Sequence, residues 1–144
     1  MRAVNERGFT LIELMVVMTI LALLAVMVVP KLVGRSDEAR ITSTKVQIRN
    51  IESALQLYKL DNGLYPATEQ GLQALVTEPT TTPLPTNWKK GGYLPKVPLD
   101  PWKRPFVYLS PGIHDPDYDL FSYGADGETG GEELNKDIAS WDLE

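Results

Sequence analysis

The stretch Gly8-Phe9-Thr10-Leu11-Ile12-Glu13-Leu14-Met15-Val16-Val17-Met18-Thr19-Ile20-Leu21-Ala22-Leu23-Leu24-Ala25-Val26-Met27-Val28-Val29-Pro30 decides the fold. From Phe9 to Pro30 only Glu13 carries a charge. As a helix these 22 residues would span about 33 Å, enough to cross a hydrocarbon core of about 30 Å. Ahead of them, Met1 to Gly8 is short and polar, with Arg2 and Arg7. An ordinary secretory signal peptide is one alternative, but the run is long for one and has no small-x-small cleavage site near its end. A plain single-pass anchor is another. Against it stands Glu13, since a carboxylate at mid-membrane costs about 2.5–3.5 kcal/mol, less near the interface. Such a residue either snorkels to the headgroups or has a partner.

Beyond Pro30 the pattern becomes amphipathic. Pro30 removes one hydrogen bond from a continuous helix and kinks or locally melts it. Ile41, Ile48, Ile51, Leu55 and Tyr58 then form one helical stripe, with Arg40, Lys45, Arg49, Glu52 and Lys59 mostly off it. The helix is expected to end near Lys59 or Leu60, stopped by Asp61-Asn62-Gly63. Its length from Phe9, about 75 Å, exceeds what a domain of this size can bury, whereas neighbouring copies could cover the apolar half. Downstream, Thr68-Glu69-Gln70-Gly71 is expected to open a short helix capped by Thr68, carrying Leu72, Leu75 and Val76 inward. Glu78 to Asn87, rich in Pro and Thr, reads as a loop. Phe106 to Leu109 and Tyr118 to Tyr123 read as an antiparallel strand pair.

Composition narrows the possibilities. The chain has 144 residues, no cysteine and a formal net charge of −5. Disulfides and thiolate sites are excluded, and a small secreted domain without them needs another staple, such as a metal or oligomerisation. Ten acids lie between Asp115 and Glu144 against one base, Lys136, which argues against nucleic-acid binding there. Tyr118, Leu120, Phe121, Tyr123, Ile138 and Trp141 are interleaved with these acids, so the segment is expected to be ordered and to need cations.

Gly8-Phe9-Thr10-Leu11-Ile12-Glu13 resembles the processing signature of type IV prepilins and pseudopilins. The resemblance implies cleavage between Gly8 and Phe9 by a prepilin peptidase, which then methylates the new amine of Phe9. It also implies assembly through Phe9, Glu13 and Pro30, with Glu13 facing the Phe9 amine of a neighbouring copy and the helix melting near Pro30. The segments Tyr58 to Pro66, Thr68 to Leu75, Gly91-Gly92-Tyr93-Leu94, Asp100-Pro101-Trp102 and Phe121 to Gly127 resemble the major pseudopilin of the type II secretion system. A type IV pilus or competence pilus subunit, used for adhesion, motility or DNA uptake, is the alternative. The long similarity from Tyr58 to Trp141 favours secretion.

The resemblance implies an α+β, type IV pilin-like fold, in which a long N-terminal helix packs on a small C-terminal antiparallel sheet with a structured acidic loop. The expected segments are a leader at 1–8, a hydrophobic helix at 9–30, an amphipathic helix at 31–60 and a periplasmic head at 61–144. The implied role is structural and not enzymatic. A homopolymer would grow from the inner membrane and push folded exoproteins through an outer-membrane channel, powered by a cytoplasmic ATPase. Implied partners are minor pseudopilins, the peptidase/methyltransferase, an inner-membrane platform and, before assembly, membrane lipid. A membrane-anchored calcium-binding module that never polymerises is a third reading.

Asp115, Asp117 and Asp119 do not begin an EF-hand, because its glycine and glutamate positions are held by Leu120 and Asp126. The resemblance implies a structural calcium site in the loop after Gly124 instead. Its implied ligands are Asp126 and the carbonyls of Tyr123 and Glu128, with Asn135 and Asp137 among the candidates near the end. Here Lys136 stands where many members offer a carboxylate or its neighbour. His114, beside Asp115, has no nucleophile elbow to serve and reads as a surface residue. Asp117 and Asp119 could mimic a glycosidase pair, but nothing in the sequence suggests a cleft for a sugar.

Overall fold

The computed structural model describes residues 9–143 and, over 26–35, the backbone alone. One helix, α1, runs Leu11–Asn62. It passes through Pro30, whose side chain lies outside the described residues, as does all of Gly8. The chain divides into two compact units, Met1–Asp37 and Glu38–Glu144.

In the first unit every described side chain from Phe9 to Ala25 is exposed. Phe9, Leu11 and Ile12 are 83%, 76% and 68% exposed. A helix apolar on all sides is stable only when something covers it. Among the described residues no helix is long and apolar enough to cross a membrane. The apolar run of the sequence continues into residues 26–30, outside the described side chains.

The second unit is built on the later part of α1. Ile48, Ile51, Leu55 and Tyr58 are fully buried, as the stripe predicts, while Ile41 is only half-buried. Thr44 and Asn62 extend the buried face. Both are polar and both are satisfied. Thr44 Oγ1 donates to Arg40 O at 2.9 Å. Asn62 Nδ2 donates to Tyr58 O at 2.9 Å and to Tyr93 Oη at 3.1 Å, and its Oδ1 accepts from Asn87 N–H at 2.9 Å. These bonds carry the helix two residues past its expected end and tie it to the 87–93 loop. Gly63 N–H then closes on Lys59 O at 2.7 Å.

Two local expectations are corrected. The segment after Gly71 is a single 3-10 turn, Leu72–Leu75, burying Leu72, Ala74 and Leu75, with Val76 half-buried. Thr68 does not cap it. Its hydroxyl donates to Ser110 O at 3.0 Å and accepts Ser110 N–H at 2.8 Å. Gln70 does the local work, accepting from Ala67 N–H at 3.0 Å and donating to Thr81 O and Pro83 O at 2.6 and 2.9 Å. The strands are also shorter than expected. β1 is Val107–Leu109, β2 is Asp119–Ser122 and β3 is Ile138–Ala139. They form an antiparallel sheet in the order β1-β2-β3, with Tyr108 opposite Leu120 and Phe121 opposite Ala139. Phe106, Tyr108, Tyr118, Leu120 and Ile138 complete the core with the α1 stripe. Each fully buried large side chain contributes about 1.5–3 kcal/mol.

The acidic segment is not a free solvated run. Asp119 is buried, and its carboxylate accepts the N–H groups of Ile113, His114 and Asp115 at 2.8–3.2 Å. The His114 ring, Nδ1 3.1 Å from Asp119 Oδ2, stacks on Trp141 at 4.0 Å. Asp117 pairs with Lys59 at 3.0 Å, whose ammonium lies 4.4 Å from the Tyr65 ring centre. The Asp117–Lys59 pair is exposed and contributes little.

Burial alone would raise the Asp119 carboxyl, but the backbone N–H bonds and His114 outweigh it and hold the group below its ordinary value. A depressed folded value means the stabilisation is fully present above the unfolded value of about 3.9 and is lost as pH falls through the folded one. Asp119→Asn should therefore destabilise the head by about 1–3 kcal/mol at neutral pH. In thermal melts the variant and parent curves should converge as the pH is lowered past 4. A constant gap down to the most acidic stable condition would contradict this assignment.

Candidate assembly segment and metal loop

Thr10 occupies the position before the first turn of α1. Its N–H and its hydroxyl both donate to Glu13 Oε2 at 2.8 Å. Glu13 N–H donates back to Thr10 Oγ1 at 3.3 Å, and Leu14 N–H to Thr10 O at 3.2 Å. This is a reciprocal capping box, which satisfies donors that a helix N-terminus otherwise leaves free. The Thr-x-x-Glu signature is visible in the sequence, but the snorkelling and partner readings of Glu13 both overlook this local role. The cap uses Oε2; Oε1 takes no part in it.

The second candidate region is the loop between β2 and β3. Continuing the register one step beyond Ser122 and Ile138 puts Tyr123 opposite Asp137. The next step puts Gly124 opposite Lys136, and a Cβ at Gly124 would stand 2.8 Å from Lys136 O and 3.5 Å from Asn135 O. The fold thus brings Tyr123, Asn135 and Asp137 to one mouth. Asp126 and Glu128 lie farther out, both exposed, with Glu128 N–H donating to Asp126 Oδ1 at 3.1 Å. Asn135 sits in a 3-10 turn, Glu133–Asn135, and its N–H reaches Glu132 O at 3.0 Å. Asp137 closes the loop through two bonds to Gly130. Its Oδ2 accepts Gly130 N–H at 2.9 Å, and its own N–H donates to Gly130 O at 3.1 Å.

Asp137 Oδ1 is buried and has no hydrogen-bond partner. An unmatched buried carboxylate oxygen is expensive, so it could serve a cation as a ligand. Among the described residues no three of His, Asp and Glu gather closely enough to hold a metal by side chains alone. A cation here would therefore draw on backbone carbonyls as well as carboxylates, which suits calcium better than zinc. Lys136 does not stand as an unpaired cation at the loop. Its ammonium pairs with Asp142, and that bond holds the Asp142 carboxyl below its ordinary value.

The loop is also held from the Asp100-Pro101-Trp102-Lys103-Arg104 turn, a contribution that sequence reading missed. Asp100 is buried. Its Oδ1 accepts Trp102 N–H at 3.0 Å and Arg104 N–H at 2.8 Å. Its Oδ2 accepts the Ser122 hydroxyl at 2.7 Å, and Ser122 Oγ accepts Gly124 N–H at 3.3 Å. The Asp-Pro turn signal was legible; that its carboxylate reaches across to β2 was not.

The sequence profile described as Type II secretion system (T2SS), protein G matches residues 31–141. The chain belongs to this family. A second profile, the prokaryotic N-terminal methylation motif, matches residues 4–29. The type II secretion system core protein G of Pseudomonas aeruginosa is 53% identical over 138 residues, covering 96% of each chain. That of Vibrio cholerae is 48% identical over 140 residues, covering 97% of this chain and 94% of the relative. The Escherichia coli K12 protein is 47% identical over 144 residues, covering 99% and 97%. The crystal structure of the major pseudopilin from the type 2 secretion system of enterohaemorrhagic Escherichia coli superposes with a TM-score of 0.69 at 41% identity. That match covers 77% of this chain and 90% of the other. The fold is therefore type IV pilin-like, and the family's members are core, major pseudopilins of type II secretion.

Thr10→Val removes the hydroxyl that Glu13 N–H uses. Amide exchange at Glu13 should accelerate several-fold while the second unit keeps its protection. Unchanged exchange at Glu13 would mean that the cap does not persist in solution.

Proposed function

We propose that this chain is the major structural subunit of a type II secretion pseudopilus. Its mature form would begin at Phe9, anchor in the inner membrane with its head in the periplasm, and polymerise through the 9–30 helix. The observation that carries this reading is the exposed apolar helix from Phe9 to Ala25 attached to a chain whose head has its own core. Copies of the same helix, or lipid before assembly, supply the cover it lacks.

Cleavage between Gly8 and Phe9 would turn the Phe9 nitrogen into a cation four residues before Glu13 and directly ahead of the capping box. Glu13 Oε1, unused by the cap, is the acceptor we assign to the Phe9 amine of a neighbouring copy. Removing one member of such a buried pair costs about 3–5 kcal/mol. Growth of the filament against an inner-membrane platform, together with minor pseudopilins, would move folded exoproteins outward.

Calcium is the staple that the acidic loop calls for. When bound, it would neutralise carboxylates and cross-link the two ends of the loop. Asp137 Oδ1 is the ligand with the strongest claim, joined by Asp126 and the carbonyls of Tyr123, Glu128 and Asn135. The metal is structural, so the test is stability and not turnover.

Intact mass of the protein extracted from membranes should lack Met1 to Gly8 and carry one added methyl when prepilin peptidase is present. An uncut chain under those conditions would remove the assembly reading. Separately, EDTA should lower the melting temperature, and calcium should restore it. Asp137→Asn should abolish most of that difference; a melting curve indifferent to EDTA would end the calcium reading and leave the assembly reading untouched.

A further inference from the structure

Arg104 lies outside the β2–β3 loop, yet it holds the loop's first turn. Its Nη1 donates to Gly124 O at 2.8 Å and its Nη2 to Ala125 O at 3.2 Å. The planar guanidinium thus takes two successive carbonyls in a fork, a geometry an ammonium cannot reproduce. The Arg104 backbone is itself fixed. Asp100 Oδ1 accepts its N–H at 2.8 Å, and Arg104 O accepts Asp100 N–H at 2.9 Å. Through Ser122 Oγ the same Asp100 carboxylate reaches Gly124 N–H. Both polar groups of the Gly124 peptide backbone are therefore set by the 100–104 turn.

The next turn residue confirms how close this packing is. A Cβ at Gly127 would stand 2.5 Å from Arg104 Cζ and 2.6 Å from Nη1, and Gly127 has φ +76°. Any side chain there must displace the guanidinium. The turn from Gly124 to Gly127 carries Asp126.

We propose that Arg104 is the positioning residue of the metal loop, holding the Asp126 turn in its binding conformation before a cation arrives. This rests on the calcium reading above. The guanidinium does not ligate the metal, and its charge opposes a nearby cation. Its benefit is geometric: the Gly124 and Ala125 carbonyls are fixed by Arg104, so the turn does not have to be ordered at the moment of binding.

The experiment is calcium titration by calorimetry of the detergent-solubilised full chain, with parallel melts in EDTA and amide exchange at Ala125 to Glu128. Arg104→Gln should weaken calcium binding by about 10–100-fold, the usual effect of losing an outer support. It should also raise exchange in the turn in EDTA. Arg104→Lys should recover only part of the affinity, and Gly127→Ala should weaken binding with Arg104 intact. A merely structural Arg104 would lower the melting temperature equally with and without calcium and leave the dissociation constant unchanged, which overturns the proposal. Tighter binding by Arg104→Gln overturns it too, because charge repulsion would then outweigh geometry. If Arg104→Gln fails to fold, parental affinity in Gly127→Ala overturns the proposal alone. Absence of calcium binding by the parent protein removes the calcium reading and this proposal together.

Discussion

The head depends on one stripe of α1. Ile48, Ile51, Leu55 and Tyr58 are the surface on which the 3-10 turn, the sheet and the aromatic side chains all find cover. The sheet could not stand without it. Strands of three, four and two residues make too few hydrogen bonds to persist alone, and isolated short pairings are marginal in water. The helix supplies a rigid apolar wall, and the strands add Phe106, Tyr108, Leu120 and Ile138 to it.

With so little regular structure, buried carboxylates take over the ordering of loops. Asp119 gathers three consecutive backbone N–H groups in the 113–115 segment, and Asp100 gathers the 102–104 turn and links it to β2. Each anion is held by N–H or O–H donors, a combination that makes a buried charge tolerable. A chain without cysteine thus uses carboxylate hubs where many small secreted domains use covalent bridges.

The long elements were legible because they obey periodicity. The α1 stripe and both predicted strands could be read from spacing, and the family resemblance rested on segments spread along the chain. What could not be read was polar and non-local. Thr44 and Asn62 sit on the buried face as polar residues satisfied by Arg40, Tyr58, Tyr93 and Asn87. Asp119 looked like one more acid in an acidic run, because alternation alone does not reveal a loop folding back onto it. Thr68 looked like a cap by position, but its hydroxyl pairs with Ser110, 42 residues away. The candidate metal loop was legible only in part: Asp126 matched the resemblance, Asp137 was one of several acids near the end, and the supports from Arg104 and Ser122 come from other elements.

The sheet's two edges, β1 and β3, are three and two residues long. An edge that short presents few free backbone groups for another strand to pair with. Where copies of such a chain crowd together, this limits runaway strand pairing between heads. Short edges leave crowded copies less prone to the cross-β deposits that longer exposed strands invite.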